Sequence, residues 1–186
     1  MNRKIMPNLQ QLLSEARSRF AIDEVVRFVA ITEGQIPLLI DLMLDPKAEV
    51  NKKAAWAFSH LSDADPAYYK QYTERIVSAL SKCNTSVERN LLRYLAIIDI
   101  AEEQQGFLTE HCYKRLLNPL TPSANRVHAL QILCNMAILY PELQEELCIT
   151  IESLMSTENS GSIQAHGKMV INQLKGKEKR KLTTMP

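Results

Sequence analysis

The chain has 186 residues, of which 46% are apolar and 23% charged. This is an ordinary composition for a globular protein, and the length is enough to bury the core of one domain. With only 5 glycines and 6% aromatic residues, the sequence does not fit a turn-rich β-sandwich or barrel. The formal net charge is +1, from 22 basic and 21 acidic residues, which weakens a nucleic-acid-binding interpretation of the whole chain.

The processing and cysteine signals indicate a cytoplasmic protein. Basic residues in segment 1–7 have no apolar core behind them, so we expect no signal peptide. The longest charge-free apolar stretch, about 127–141, is too short to cross a bilayer. The four cysteines form no CxxC pair, and we expect reduced core thiols, with no disulfide, metal or cofactor. They are Cys83, Cys112, Cys134 and Cys148.

The first clear element is a pair of helices. A helix that begins near Ile36 is ended by Asp45-Pro46, and a second helix is predicted over 47–61. An irregular leading pair precedes it, over 8–13 and 20–31. The second helix carries apolar residues at the spacing of one helix face, which are Val50, Ala54, Ala57, Phe58 and Leu61.

The pair of helices then recurs along the chain. Asn84 is predicted to cap the second helix of the next pair, and Asp99 with Glu102 has the spacing of a capping box. Further helices are predicted over 69–81, 87–98, 102–117, 123–139 and 141–155, and a last one ends near Leu174.

The repeat has a period of 37 residues, because Lys52, Arg89 and Arg126 follow one another at that offset. His128 and His166 then follow at an offset of 38. Since one helical pair cannot bury its own apolar face, neighbouring pairs must stack. We therefore predict an all-α fold of about four to five helical hairpins, as a single domain over 8–174.

A basic, disordered tail is predicted over 175–186. It holds five basic residues and one acidic residue, a net charge of +4. The remaining residues, 17 basic and 20 acidic, have a net charge of −3. The near-neutral total thus conceals a mildly acidic helical body, which is a poor general binder of phosphate.

The segment Leu44-Asp45-Pro46-Lys47-Ala48-Glu49-Val50, followed by Ala54-Ala55 and Phe58, resembles a HEAT or armadillo-type repeat. The chain is also similar to small bacterial HEAT-like proteins of unassigned activity. The resemblance implies a right-handed α-α superhelix whose second helices line a concave surface. HEAT repeats commonly carry Arg after that Val, paired with the turn Asp of neighbouring repeats. Here the corresponding residues are Asn51 and Glu88, so the resemblance does not predict that ladder.

Lys52, Arg89 and Arg126 occupy one repeat-equivalent position, and we call them the positive file. Trp56 and Arg93 come one helical turn later, and the five residues together form the candidate site. Stacking would align them on one surface, where Arg pairs bidentately with carboxylates and Trp provides an aromatic anchor. In the alternative interpretation these are solvated residues with intramolecular partners, and Trp56 belongs to the core. The predicted partner-binding residues are Lys52, Trp56, Arg89, Arg93 and Arg126.

We therefore expect a non-enzymatic scaffold that binds a protein or peptide, and an acidic segment would complement the positive file. The alternative is a nucleic-acid-binding protein similar to the HEAT-like DNA alkylation-repair glycosylases, to which the positive file and the basic tail point. No nucleophile elbow, P-loop, dinucleotide turn or HExxH motif is present, and the four histidines lack metal-ligand spacing. Apolar residues in the last helix leave the oligomeric state open.

Overall fold

The computed structural model describes the backbone of residues 8–183 and the side chains of residues 8–176. Within that range the chain forms ten α-helices and no strand, so the predicted all-α class and the succession of helical hairpins are confirmed. The helices are α1 (Leu9–Glu15), α2 (Arg19–Ile31), α3 (Gln35–Leu44), α4 (Asn51–Ala64), α5 (Thr73–Ala79), α6 (Thr85–Leu95), α7 (Glu102–Leu117), α8 (Ser123–Leu139), α9 (Gln144–Thr157) and α10 (Gly161–Thr183). Short 3-10 helices, Ala67–Tyr72 and Pro141–Leu143, precede α5 and α9.

The chain divides into two compact units, Met1–Ile98 and Asp99–Pro186, here called unit 1 and unit 2. Unit 1 holds α1 to α6, and unit 2 holds α7 to α10. In both units a helix packs on its hairpin partner and on a helix of the next hairpin. The single domain expected over 8–174 stays a prediction.

In unit 1 the second helix of each hairpin, α2, α4 and α6, packs on the next one. The five apolar residues predicted to face inward from α4 are all buried. Phe58 is at the centre of an aromatic cluster, with its ring 5.4 Å from that of Tyr69 and 5.2 Å from that of Tyr94. Burial of these faces leaves the opposite face of α4 and α6 for polar residues.

In unit 2, α8 packs against α7 and α10. Gly167 permits the approach of α10 to α9, because a Cβ atom there would lie 2.7 Å from Met155 Sδ and 2.8 Å from Ile151 Cγ2. None of the four cysteines forms a disulfide in the described part of the chain, and Cys112 and Cys134 are buried. The core positions expected for the cysteines are therefore found at these two residues.

Helix ends differ from the predictions at several points, of which three are described below, and one predicted cap is confirmed. Helix α4 begins at Asn51 and not at Lys47, because residues 46–50 form the turn between α3 and α4. Helix α7 begins after Ala101 without a side-chain cap, so the capping box at Asp99 is wrong. The cap at Asn84 is confirmed, since its Oδ1 accepts hydrogen bonds from two backbone N–H groups at 3.1 Å. The third difference is the end of α10.

Helix α10 continues to Thr183. The end predicted near Leu174, and with it the start of the disordered tail at residue 175, does not coincide with the end of this helix. Residues 184–186 of the predicted tail lie outside the described residues.

Candidate functional site: a cationic face on unit 1

Four of the five predicted site residues share one exposed face of unit 1. Lys52 and Trp56 are four residues apart on α4, and Arg89 and Arg93 are four residues apart on α6, so each pair is on one side of its helix. All four side chains are exposed. Trp56 is 36% exposed, so part of its ring is accessible to a partner while the rest packs against the helix surface.

A cleft of about 440 Å³ runs across this face and joins three helices. Trp56 is one of its walls, and the ring of Trp56 meets that of His60 edge-on at a centroid distance of 6.2 Å. Helix α2 contributes Arg19 and α6 contributes Arg93, while Asp63 extends from α4. The cleft therefore combines an aromatic surface with cationic groups from both neighbouring helices.

One ion pair and one contact between a histidine and a carboxylate connect the helices that form the cleft. Arg93 on α6 pairs with Asp63 on α4, and His60 Nδ1 lies 3.0 Å from Asp23 Oδ1 on α2. Exposed pairs of this kind contribute little to stability, about 0–1 kcal/mol. An external carboxylate can therefore compete with Asp63 for Arg93 at small cost.

The remaining cations of this face have no such partner. Arg19, Lys52 and Arg89 form no ion pair with any acidic side chain of the described residues. The intramolecular pairing considered from the sequence thus applies to Arg93 and not to Lys52 or Arg89. We call the surface made by Arg19, Lys52, Trp56, Arg89 and Arg93 the unit 1 cationic face.

The prediction for Arg126 is wrong, because this side chain is buried in unit 2 and only 4% exposed. Its Nε–H donates to the carbonyl of Leu116 at 2.8 Å, and its two terminal nitrogens donate to the carboxylate of Glu158 at 2.5 and 2.8 Å. The hydrogen bonds from Arg126 lower the pKa of Glu158 below its ordinary value. Arg126 therefore joins the end of α7 to Glu158, the residue that follows α9, and is not available to a partner.

The prediction was wrong because the alignment that matched Arg126 with Lys52 is out of register by one residue. Asn51 at the start of α4 donates to the carbonyl of Asp45 at 3.2 Å, and Gln164 in α10 donates to the carbonyls of Met155 at 2.5 Å and Glu158 at 3.2 Å. Both side chains are held by the end of the preceding helix or by the residue just after it, as Arg126 is held by Leu116. We call Asn51, Arg126 and Gln164 the turn ladder.

Arg126 is thus equivalent to Asn51, the residue before Lys52. From Glu88 to Arg126 and from Arg126 to Gln164 the spacing is 38 residues, and only from Asn51 to Glu88 is it 37. The contact between Arg126 and Glu158, the residue after α9, is similar to the Arg-to-turn pairing common in HEAT repeats, which the residues at Asn51 and Glu88 did not predict. In unit 1 the amide of Asn51 takes a comparable position, since its Oδ1 accepts from Asn84 Nδ2 at 3.2 Å.

Three residues of the cleft were missed from the sequence. Arg19 lies 37 residues before Trp56, as Arg93 lies 37 after it, so the same offset carried one repeat further toward the N-terminus would have found it. His60 and Asp63 follow Trp56 by four and seven residues, the spacing of one helix face.

Comparison with known proteins agrees with this architecture. The sequence matches the HEAT repeat domain family over residues 9–174, and the chain belongs to this family. No curated protein and no solved structure matches the chain. In the part of the chain that the structure describes, no helix is both long enough and apolar enough to cross a membrane. The same part holds no group of three or more His, Cys, Asp or Glu residues placed to bind a metal ion.

Proposed function

We propose that this HEAT repeat protein is a non-enzymatic scaffold that holds an acidic segment of another protein on the unit 1 cationic face. The observation that carries the proposal is the cleft in which Arg19 of α2 and Arg93 of α6 flank the exposed Trp56 of α4. Lys52 and Arg89, which form no ion pair with a described acidic side chain, precede Trp56 and Arg93 by one helical turn. We expect a location in a reducing compartment such as the cytoplasm, where buried cysteines such as Cys112 and Cys134 stay as thiols.

Each group of the face has a definite use in this binding. The guanidinium groups of Arg19 and Arg89 can form paired hydrogen bonds with carboxylates, and Arg93 can exchange Asp63 for a carboxylate of the partner. Trp56 offers a rigid apolar surface, of the kind that concentrates binding energy at protein interfaces. An acidic segment with an adjacent apolar residue matches this combination.

Duplex DNA is the alternative ligand, and the structure weakens the argument for it. Because Arg126 is buried in unit 2 and paired with Glu158, the positive file has fewer exposed cations that could contact a run of phosphates. A mobility-shift assay with a labelled duplex at 50 mM and at 200 mM NaCl separates the two ligands. Tight, salt-dependent binding of the duplex would favour the alternative.

The experiment is a capture of native partners with the tagged full chain, compared by quantitative mass spectrometry. The site variant is Lys52→Ala/Trp56→Ala/Arg89→Ala/Arg93→Ala. A matched control variant removes three cations and one aromatic ring from exposed positions elsewhere in unit 1, namely Lys47→Ala/Tyr68→Ala/Lys70→Ala/Lys82→Ala. Circular dichroism and the melting temperature verify that both variants are folded.

We expect proteins with acidic segments to be retained by the wild-type chain and the control variant and lost from the site variant. Equal recovery on the site variant would contradict the assignment of the face. Turnover of a captured protein or metabolite by the purified chain would contradict the non-enzymatic part of the proposal.

A further inference from the structure

The cleft of the unit 1 cationic face has a regular order across its three helices. Arg19, Trp56 and Arg93 line it, and they come from α2, α4 and α6 in that order. Each follows the one before it by 37 residues. Helix α4 packs on α2 and on α6, so the aromatic ring comes between the two cations. We call these three residues the cleft row.

Residues at equal repeat positions lie side by side in this part of unit 1. Asp23 of α2 and His60 of α4 are also 37 residues apart, and Asp23 Oδ1 is 3.0 Å from His60 Nδ1. Between α4 and α6, the rings of Phe58 and Tyr94 have centroids 5.2 Å apart. Packed helices have axes about 8–10 Å apart, so successive members of the cleft row are separated by about this distance at their backbones.

A peptide that contacts the whole cleft row needs side chains that repeat at this distance on one side. A polyproline II helix has three residues per turn and rises about 3.1 Å per residue, so residues i, i+3 and i+6 share one side at steps of about 9 Å. In a β-strand, residues i and i+3 extend to opposite sides. An α-helix gives a step of about 10.5 Å between residues i and i+7, and it spans the row with about 15 residues. The polyproline II form needs about seven residues, and ordering fewer residues costs less conformational entropy.

On the basis of the proposed function, we propose that the acidic segment of the partner binds as a polyproline II helix, with an apolar residue on Trp56 and an acidic residue three positions before and after it. One carboxylate meets Arg19, which forms no ion pair with a described acidic side chain. The other meets Arg93 and displaces Asp63 from it. Exposed aromatic rings are the usual docking surface for this conformation. The partner is therefore a protein with a proline-rich acidic segment.

The test is fluorescence anisotropy with four labelled peptides and the full chain in 50 mM NaCl. The matched peptide has the core Glu-Pro-Pro-Leu-Pro-Pro-Glu, a pattern that is the same in both chain directions. The shifted peptide, Pro-Glu-Pro-Leu-Pro-Glu-Pro, has the same composition but places its acidic residues two positions from leucine. The flexible peptide, Glu-Gly-Ser-Leu-Gly-Ser-Glu, keeps the spacing without the prolines. The helical peptide places two Glu residues seven positions from a central Leu in a background of alanine and glutamine.

We expect the wild-type chain to bind the matched peptide about tenfold more tightly than the shifted peptide, whose carboxylates no longer meet both arginines. Arg19→Ala and Arg93→Ala should each weaken binding of the matched peptide by about threefold. The matched control is Arg75→Ala, which removes an exposed arginine of α5 that pairs with Asp41, and it should leave this binding unchanged. Circular dichroism verifies the fold of every variant.

The outcomes separate this inference from the proposed function. Equal binding of the matched and shifted peptides, weakened in both cleft variants, would overturn the polyproline II register and leave the cationic face as the binding surface. Tighter binding of the flexible or the helical peptide would overturn the register in the same way. If no peptide bound, or if neither Arg19→Ala nor Arg93→Ala changed the binding, the proposed function would fail as well.

Discussion

The two units use arginines of similar sequence spacing for opposite purposes. On α6 of unit 1, Arg89 and Arg93 extend from an exposed face, and Arg93 reaches only an exposed aspartate. On α8 of unit 2, Arg126 is buried, bonds to the end of α7 and is held by Glu158. One residue of register separates the two outcomes, and one residue rotates a side chain by about 100° around a helix. A repeated charge therefore defines a surface only after the register of each helix is known.

The largest expected effect is on stability at Arg126. Arg126→Ala leaves Glu158 and the carbonyl of Leu116 without their donor, and we expect a loss of about 2–4 kcal/mol in the free energy of unfolding, since Glu158 is partly solvated. Arg89→Ala is the matched substitution in unit 1, and its effect should stay within about 0.5 kcal/mol. Urea unfolding followed by circular dichroism measures both.

Arg126→Lys sharpens this comparison, because it keeps the charge and removes the bidentate geometry. We expect an intermediate loss of stability. If Arg126→Ala and Arg89→Ala had equal effects, the distinction between the two units would be refuted.

The second effect concerns close packing inside unit 2. Gly167→Ala places a Cβ atom against Met155 and Ile151, and we expect a cost of about 1–3 kcal/mol from overpacking. At Gly106 on α7 a Cβ atom would meet no atom within 4 Å, so Gly106→Ala should instead stabilise the helix by about 0.5–1 kcal/mol. Thermal melting of both variants should give shifts of opposite sign, and shifts of the same sign would show that α9 and α10 are not packed as described.

The third effect tests whether Asn51, the member of the turn ladder in unit 1, contributes to stability through its side chain. Asn51→Ala removes the donor to Asp45 and the acceptor for Asn84, and we expect a loss of about 1 kcal/mol. Lys52→Ala, the next residue and an exposed one, should be nearly neutral for stability. Urea unfolding that ranked Lys52→Ala as the more damaging change would place the ladder at the wrong residue.

The smallest effect is the pH dependence of unit 2. The pKa of Glu158 is lowered by its hydrogen bonds from Arg126, so the folded state holds the ionised form more strongly than the unfolded state does. The resulting stability is present above the ordinary pKa of a glutamate and is lost as the pH falls through the lowered value. Glu158→Gln should flatten this acid branch in melting temperatures measured from pH 7 to pH 3. An unchanged acid branch would contradict the linkage.

Much of the fold could be predicted because local signals determine it. The bounds of α7 and α8 match their predicted ranges, 102–117 and 123–139, and the cap at Asn84 is where its side-chain chemistry places it. The start of α4 was less predictable, because Lys47, Ala48 and Glu49 are residues that helices accept and only the turn after Pro46 keeps them outside. Local sequence does not contain that tertiary constraint.

The candidate site was predictable only in part. Exposure of Lys52, Trp56, Arg89 and Arg93 follows from the apolar faces on the other side of their helices. The burial of Arg126 depends on its pairing with Glu158, 32 residues away, and on a repeat that lengthens from 37 to 38 residues. A pattern within one helix cannot show either one.

The most direct test of the central claim uses Trp56, the only tryptophan of the chain and a wall of the cleft. A 12-residue peptide rich in Glu and Leu is titrated into the full chain, and tryptophan fluorescence is recorded at 50 mM and 500 mM NaCl. We expect a saturable change that weakens with salt, disappears in Arg89→Ala/Arg93→Ala and persists in Arg126→Lys. No change in the wild-type chain, or the same change in Arg89→Ala/Arg93→Ala, would contradict the assignment of the unit 1 cationic face as the binding surface.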